Sequence, residues 1–253
     1  MRHSISGGAR RSWLTGAALI AAAALPLGAQ GTGNGYLFGA PTGGVTIRGG
    51  WYIARASSQF YQDAIRDFNV DKSDFSAPTF GADFALRLSP RFDVTFDGAW
   101  SSVNRNTHYR DFVDNNNQEI EQSTSLKRVP LTVNLKAYLS SRGRSVGRLA
   151  YIPSKVVPWV GLGAGTTWYN LKQSGDFINP TTTAVFTDHL ETSGWGPAAQ
   201  GMGGVDVTLT PRIALTGDAR YLWSRAEMSD SYDGYDKIDL SGASIALGVT
   251  FRL

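Results

Sequence analysis

The chain has 253 residues with no cysteine, which excludes disulfides and thiol chemistry. Its net charge of +3 includes three arginines and no acid in residues 1–29, so the remainder is neutral; no Lys/Arg cluster offers the concentrated positive charge that nucleic acid requires. No later apolar run approaches the ~20 residues that cross a membrane as a helix, so a membrane form of this chain would be a closed barrel.

The N-terminus has the form of a secretory signal peptide: Arg2, Arg10 and Arg11 precede an Ala/Leu-rich core, Leu14 to Leu27, with small Gly28 and Ala29 at the expected cleavage site. From residue 45 onward, eight segments alternate apolar and polar side chains, the period of a strand whose two faces meet different media. The first, Val45 to Ala56, sets Val45, Ile47, Trp51 and Ile53 against Thr46, Arg48 and Gly50. In the loop that follows, Phe60, Ala64, Ile65 and Phe68 fall at helical spacing, and a short amphipathic helix lying on the barrel rim is expected. The second segment, about Thr79 to Leu88, opposes Ala82, Phe84 and Leu86 to Asp83 and Arg87. The tight turn "SPR" leads into the third, from Phe92 to Trp100, with Asp93, Thr95 and Asp97 on the polar face. The fourth runs from Lys127 to Leu139, with Val129, Leu131, Val133 and Leu135 opposite Arg128, Thr132, Asn134 and Lys136. A longer basic turn, 140–155, precedes the fifth, Val156 to Asn170, in which Val160, Leu162, Ala164 and Trp168 alternate with glycines. The sixth, Trp195 to Leu209, carries Asp206 on its polar face. "TPR" then turns into the seventh, where Ile213, Leu215, Tyr221 and Trp223 oppose Thr216, Asp218 and Arg220. The eighth, "SGASIALGVTFRL", alternates up to the last residue.

Connections after even segments are mostly tight, whereas 57–77, 104–123, 171–193 and 227–237 are long and polar. The expected fold is therefore all-β: an eight-stranded antiparallel up-and-down transmembrane β-barrel with short periplasmic turns and four long extracellular loops. Residues 1–29 are assigned to the signal, 30–44 to a short periplasmic N-terminal segment, and 45–253 to the barrel. The polar faces carry a candidate lumen network of five cations and five anions, namely Arg48, Asp83, Arg87, Asp93, Asp97, Arg128, Lys136, Asp206, Asp218 and Arg220. Charges confined away from bulk water are tolerable when paired. Trp51, Trp100, Trp168, Trp195 and Trp223 share the apolar parity near the loop ends of their segments, as an aromatic girdle would.

"PWVGLGAGTTWY" (158–169) and the terminal "IALGVTFRL" resemble the outer-membrane β-barrel superfamily, in particular the small OmpA-like transmembrane barrels and opacity-like proteins. The resemblance implies a bacterial outer-membrane location, outer-membrane lipid and lipopolysaccharide as surroundings, a monomer, and a terminal strand read by the barrel-assembly machinery through Val249, Phe251 and Leu253. Members end in Phe, whereas this chain ends in Leu253.

The expected function is non-enzymatic, with a charge-plugged lumen and a structural or surface-display role in envelope integrity or adhesion. One alternative is a narrow channel or carrier, in which Gly161, Gly163, Gly165, Gly201, Gly203 and Gly204 would leave a cavity. Another is a lipid-directed or surface hydrolase using His108 or His189, near Asp111, Asp114 and Asp188. No catalytic residue, cofactor or metal is assigned; Asp230, Asp233 and Asp236 are read as a solvated loop rather than a calcium cage.

Overall fold

A computed structural model describes residues 35–113, 117–147, 149–178 and 184–253. The signal assignment and Asp114 lie outside these residues. The eight barrel strands are β1 (Gly43–Ala54), β2 (Ala77–Arg87), β3 (Phe92–Val113), β4 (Glu119–Tyr138), β5 (Val156–Ile178), β6 (Val185–Thr208), β7 (Ile213–Ala226) and β8 (Gly242–Arg252). Each is antiparallel to its neighbour in sequence, and β8 pairs with β1, so the sheet closes on itself.

The closure can be measured by following the register. From Gly44 the pairs run through Ala85, Thr95, Asn134, Gly163, Gln200, Leu222 and Gly242, and return to β1 at Ala54, ten residues further on. Eight strands with a stagger of ten tilt by about 40° and enclose a backbone cylinder of about 8 Å radius. Such an interior has room for side chains and little else.

The faces are opposite in chemistry. Ile47 is 60% exposed, whereas its neighbours Thr46 and Arg48 are 5% and 7% exposed, and Phe96, Val133, Leu162 and Leu247 repeat the pattern round the wall. Large apolar side chains point outward and polar ones inward, the inverse of a water-soluble barrel. Replacing Val133 or Leu215 by Arg is therefore expected to destabilise the bilayer-embedded barrel by ~2–4 kcal/mol, read from denaturant unfolding in lipid vesicles. An unchanged midpoint would mean that the faces have been assigned backwards.

The two tight turns use one device. Ser89 Oγ accepts from the amides of Arg91 and Phe92 at 3.2 and 3.1 Å, and Thr210 Oγ1 accepts from the Ile213 amide at 3.1 Å. The proline that follows each hydroxyl residue pre-sets the turn dihedral.

Two of the expected loops are not loops. Strands β3 to β6 contain 22, 20, 23 and 24 residues, so 104–113 with 119–123 and 171–178 with 185–193 are hairpin continuations of the wall. A strand of 23 residues at this tilt rises about 58 Å, roughly twice the height of a lipid-facing belt. Above the tryptophans the faces exchange chemistry. On β4 the outward series Val133 and Leu131 gives way to Lys127, Ser125, Ser123 and Glu121, while Leu126 and Ile120 turn inward and are buried. Below the hairpin tips, where Phe112, Val113, Val185 and Phe186 are exposed, the upper wall thus has the apolar-in, polar-out arrangement of a protein in water.

This upper interior holds an apolar cap. Helix α1 (Gln59–Asp67) places Phe60, Tyr61 and Ala64 in a core with Phe75, Val103, Leu126, Tyr169, Leu171, Tyr232, Ile238 and Leu240. The helix is buried in the mouth rather than laid on the rim, because Tyr61 extends its apolar face and packs edge-on against Phe75, with centroids 4.8 Å apart. Asp239 ties the first and last loops: it accepts from Ser57 Oγ, and its amide donates to Ser58 Oγ at 3.2 Å. Burial opposes its ionised form, but the hydrogen bonds from Ser57 and Ser241 prevail and hold the carboxyl below its ordinary range.

At the turn end, 140–155 folds into a hairpin, Gly143–Val146 with Ala150–Pro153, to which Leu37–Phe38 of the N-terminal segment adds a third strand. What the sequence presents as a long basic turn is a small sheet that reaches back into the barrel.

Candidate functional site: the barrel interior

The interior is built from inward positions on all eight strands, and its charges fall mainly into two ionic clusters carried by β1 to β7. In the central cluster Asp83 and Asp97 are direct cross-strand partners. Two carboxylates side by side would repel, and two arginines resolve this. Arg48 donates to Asp83 at 3.1 Å and to Asp97 at 2.6 Å; Arg220 donates to Asp97 at 2.7 Å and to Asp218 at 2.6 Å. Gly81 makes the space, since a Cβ there would stand 2.8 Å from Nη2 of Arg48 and 2.9 Å from the Gly98 carbonyl.

The second cluster lies nearer the turns. Lys136 donates to Asp206 at 3.3 Å and sits 3.9 Å over the Trp159 ring, whose Nε1 donates to the same carboxylate at 3.0 Å. Thr216 completes the shell of Asp206 at 2.9 Å. Asp93 accepts from Tyr138 Oη at 2.8 Å and from Arg142 at 2.8 Å to each oxygen. Arg142 comes from the turn-end hairpin, so this ion pair pins the small sheet into the mouth. A cavity of about 60 Å³ remains between Asp93, Lys136, Tyr151 and Arg252, and another of about 40 Å³ lies between Arg48, Arg128 and Gln200.

Two members of the ten-residue set stand apart from both clusters. Arg87 donates to the carbonyls of Pro41 and Ser89 rather than to a carboxylate. Arg128, 2% exposed, donates to the Phe75 carbonyl at 3.0 Å and stacks on Tyr52 at 4.0 Å. It joins the apolar cap to the wall instead of neutralising an acid. Arg142, Tyr138 and Trp159 belong to the arrangement but escape a search of the polar faces for alternating charges. Arg142 lies in a turn, and the two aromatics sit among polar inward positions where parity alone would have placed them.

Trp51, Trp100, Trp195 and Trp223 project outward and are about half exposed, whereas Trp168 is partly covered beside Trp195, its cross-strand partner. Val249 and Phe251 lie on the outer face of β8, with Phe251 between Val45 of β1 and Ile213 of β7, and exposed Leu253 directly follows the strand. The glycines considered for a carrier cavity do not line free space. Gly163 lies against Asn134, Gly161 against Met202, Gly165 against the Leu131 carbonyl and Gly204 against Trp159, while Gly201 and Gly203 alternate with buried Met202 and face outward. His108 and His189 are on strands β3 and β6 rather than in loops. Nδ1 of His108 lies 3.3 Å from Glu119, and the His189 amide donates to Asp188. No metal-holding group of His, Asp or Glu occurs among the described residues.

No family model and no curated protein matches this sequence. Solved structures do. The outer membrane protein OprG from Pseudomonas aeruginosa is 17% identical, with 86% of this chain and 99% of that one covered and a TM-score of 0.49. Neisserial surface protein A is 10% identical over 87% and 98% of the two chains, with a TM-score of 0.44. Ail, the attachment invasion locus protein of Yersinia pestis, is 14% identical over 83% and 99%, with a TM-score of 0.41. At these identities the likeness is one of fold alone. By its own strand order, its ring closure through β8 and β1, and its apolar outer wall, the chain has the fold of the small eight-stranded bacterial outer-membrane β-barrels.

Proposed function

We propose that this protein is an integral outer-membrane barrel with a plugged lumen, and that it works without catalysis, through its raised outer surface, in envelope integrity or adhesion. In this reading it is a monomer whose apolar wall meets outer-membrane lipid and lipopolysaccharide. The paired charges keep the lumen shut, the tryptophans form the girdle, and Val249, Phe251 and Leu253 are read by the assembly machinery.

One observation supports the plug most directly: the interior is occupied at three successive levels. Arg142 and Tyr151 stand at the turn-end mouth, the Arg48–Asp97–Arg220 bridge crosses the middle, and the aromatic cap of Phe60, Tyr61 and Phe75 fills the far mouth. A display role is supported by the hairpin extensions of β3 to β6, whose outward polar face is larger than anchoring a barrel requires.

The test is single-channel recording from refolded protein in planar bilayers. No steady current comparable to a porin's is expected. Stable currents of that size would overturn the plugged reading in favour of a channel. Arg142→Ala, which frees the turn-end sheet, is expected to raise brief openings without producing a steady pore, because the central bridge remains.

A further inference from the structure

The neutral total charge conceals a strong separation along the barrel axis. The turn-end segments, 35–44, 88–92, 139–155, 209–213 and 250–253, contain seven Arg or Lys and no Asp or Glu. The loop-end segments, 55–76, 104–125, 170–193 and 225–241, contain 16 acidic and 8 basic residues. A chain that shows no basic footprint in sequence order acquires one when folding gathers its turns.

Of the turn-end cations, Arg142 and Arg252 are turned inward, whereas Arg91, Arg144 and Lys155 are exposed. Beside them the small sheet exposes Phe38, Val146 and Leu149, the last 71% exposed. We infer that this end of the barrel is a docking surface for anionic phospholipid headgroups. The inference rests on the transmembrane reading above. Charge complementarity requires an anionic occupant, and continuity with the apolar wall places that occupant at the membrane boundary, where exposed Leu88, Leu139 and Leu209 lie next to the same turns. Phe38, Val146 and Leu149 select lipid over a polar anionic polymer, because only an acyl boundary gains by covering them. Basic groups at such a boundary snorkel toward headgroup phosphates.

The experiment uses the full barrel refolded into phosphatidylcholine vesicles carrying a trace of spin-labelled phosphatidylglycerol or spin-labelled phosphatidylcholine. The ratio of motionally restricted label at the protein surface is the readout. We expect at least a twofold preference for phosphatidylglycerol. It should fall toward unity in the triple variant Arg91→Gln, Arg144→Gln, Lys155→Gln, and in the wild type at about 0.5 M NaCl, where the Debye length is ~4 Å. Heat-modifiable mobility confirms that the variant is folded. A wild-type ratio of one, or a preference kept by the triple variant, overturns the inference. Loss of the preference with inorganic phosphate but not with chloride of equal ionic strength would assign the surface to free phosphate, and charge-dependent co-sedimentation with peptidoglycan sacculi would assign it to a glycan; either outcome overturns it. Absence of restricted lipid of both kinds would instead mean that the transmembrane reading itself is wrong.

Discussion

Deleting Thr250 to Leu253 is expected to abolish accumulation of the folded barrel, leaving degraded material in the periplasm. The four residues are the turn-end part of the closing seam. Thr250, Phe251 and Arg252 pair with Thr46, Val45 and Gly44 of β1, and Phe251 and Thr250 also pair with Ile213 and Ala214 of β7. The Leu253 carbonyl accepts from the Thr42 amide at 2.7 Å, and the Leu253 amide donates to Gly43 at 3.0 Å. Inside, Thr250 Oγ1 bridges Thr46 and Thr216 at 2.9 and 2.7 Å. Removing the segment leaves backbone groups of both β1 and β7 without partners, and in hydrocarbon each such group costs several kcal/mol. Phe251→Asp separates closure from recognition, because it keeps the backbone pairs and removes the outward aromatic. It is expected to lower assembly as well, while Leu253→Phe is tolerated or improves yield. Heat-modifiable mobility of outer-membrane fractions measures all three. A truncated chain present in normal amount and mobility would show that the last residues of β8 are not needed to close the ring.

Asp97→Ala should cost the embedded barrel about 3–5 kcal/mol. The Asp97 carboxylate receives Arg48 at 2.6 Å and Arg220 at 2.7 Å on a single oxygen. Its loss leaves two buried guanidinium groups sharing Asp83 and Asp218, and an unpaired charge in a low-dielectric interior costs far more than the pair contributed. Replacing the whole cluster together, Arg48→Met, Asp83→Leu, Asp97→Leu, Asp218→Leu and Arg220→Met, is expected to recover most of the loss, since it removes every charge of the cluster along with the desolvation cost. Denaturant unfolding in lipid vesicles, followed by tryptophan fluorescence, reads both variants. A loss under about 1 kcal/mol for Asp97→Ala would mean that water reaches the bridge and solvates the arginines.

Strand existence, order and face were legible because a barrel wall between lipid and a packed lumen imposes period two at every strand. Residues such as Ile47 and Arg48, or Val133 and Asn134, cannot exchange places without putting charge into lipid. The hairpin extensions were not legible for the same reason in reverse. Asn104, Lys127 and Lys172 occupy outward positions beyond the apolar belt, where a strand in water has no need of apolar contrast and resembles a polar loop. Helix α1 announced itself through Phe60 and Ala64, but its depth depended on Tyr61 and on Phe75, which lies eight residues beyond the helix.

By itself, then, the sequence determined a closed eight-stranded ring with an apolar outside and a charged inside, since alternation is a local property that each strand declares alone. Only the tertiary structure decided which charges meet. Asp83 and Asp97 are 14 residues apart and Arg220 lies more than a hundred beyond, and the ten-residue stagger brings them to one level. The same stagger set Arg128 against the cap instead of an acid, and the folding of 140–155 into a small hairpin brought Arg142 into the lumen from a turn. Pairing across a barrel depends on register and closure, which are properties of the whole ring and have no signature in any one strand.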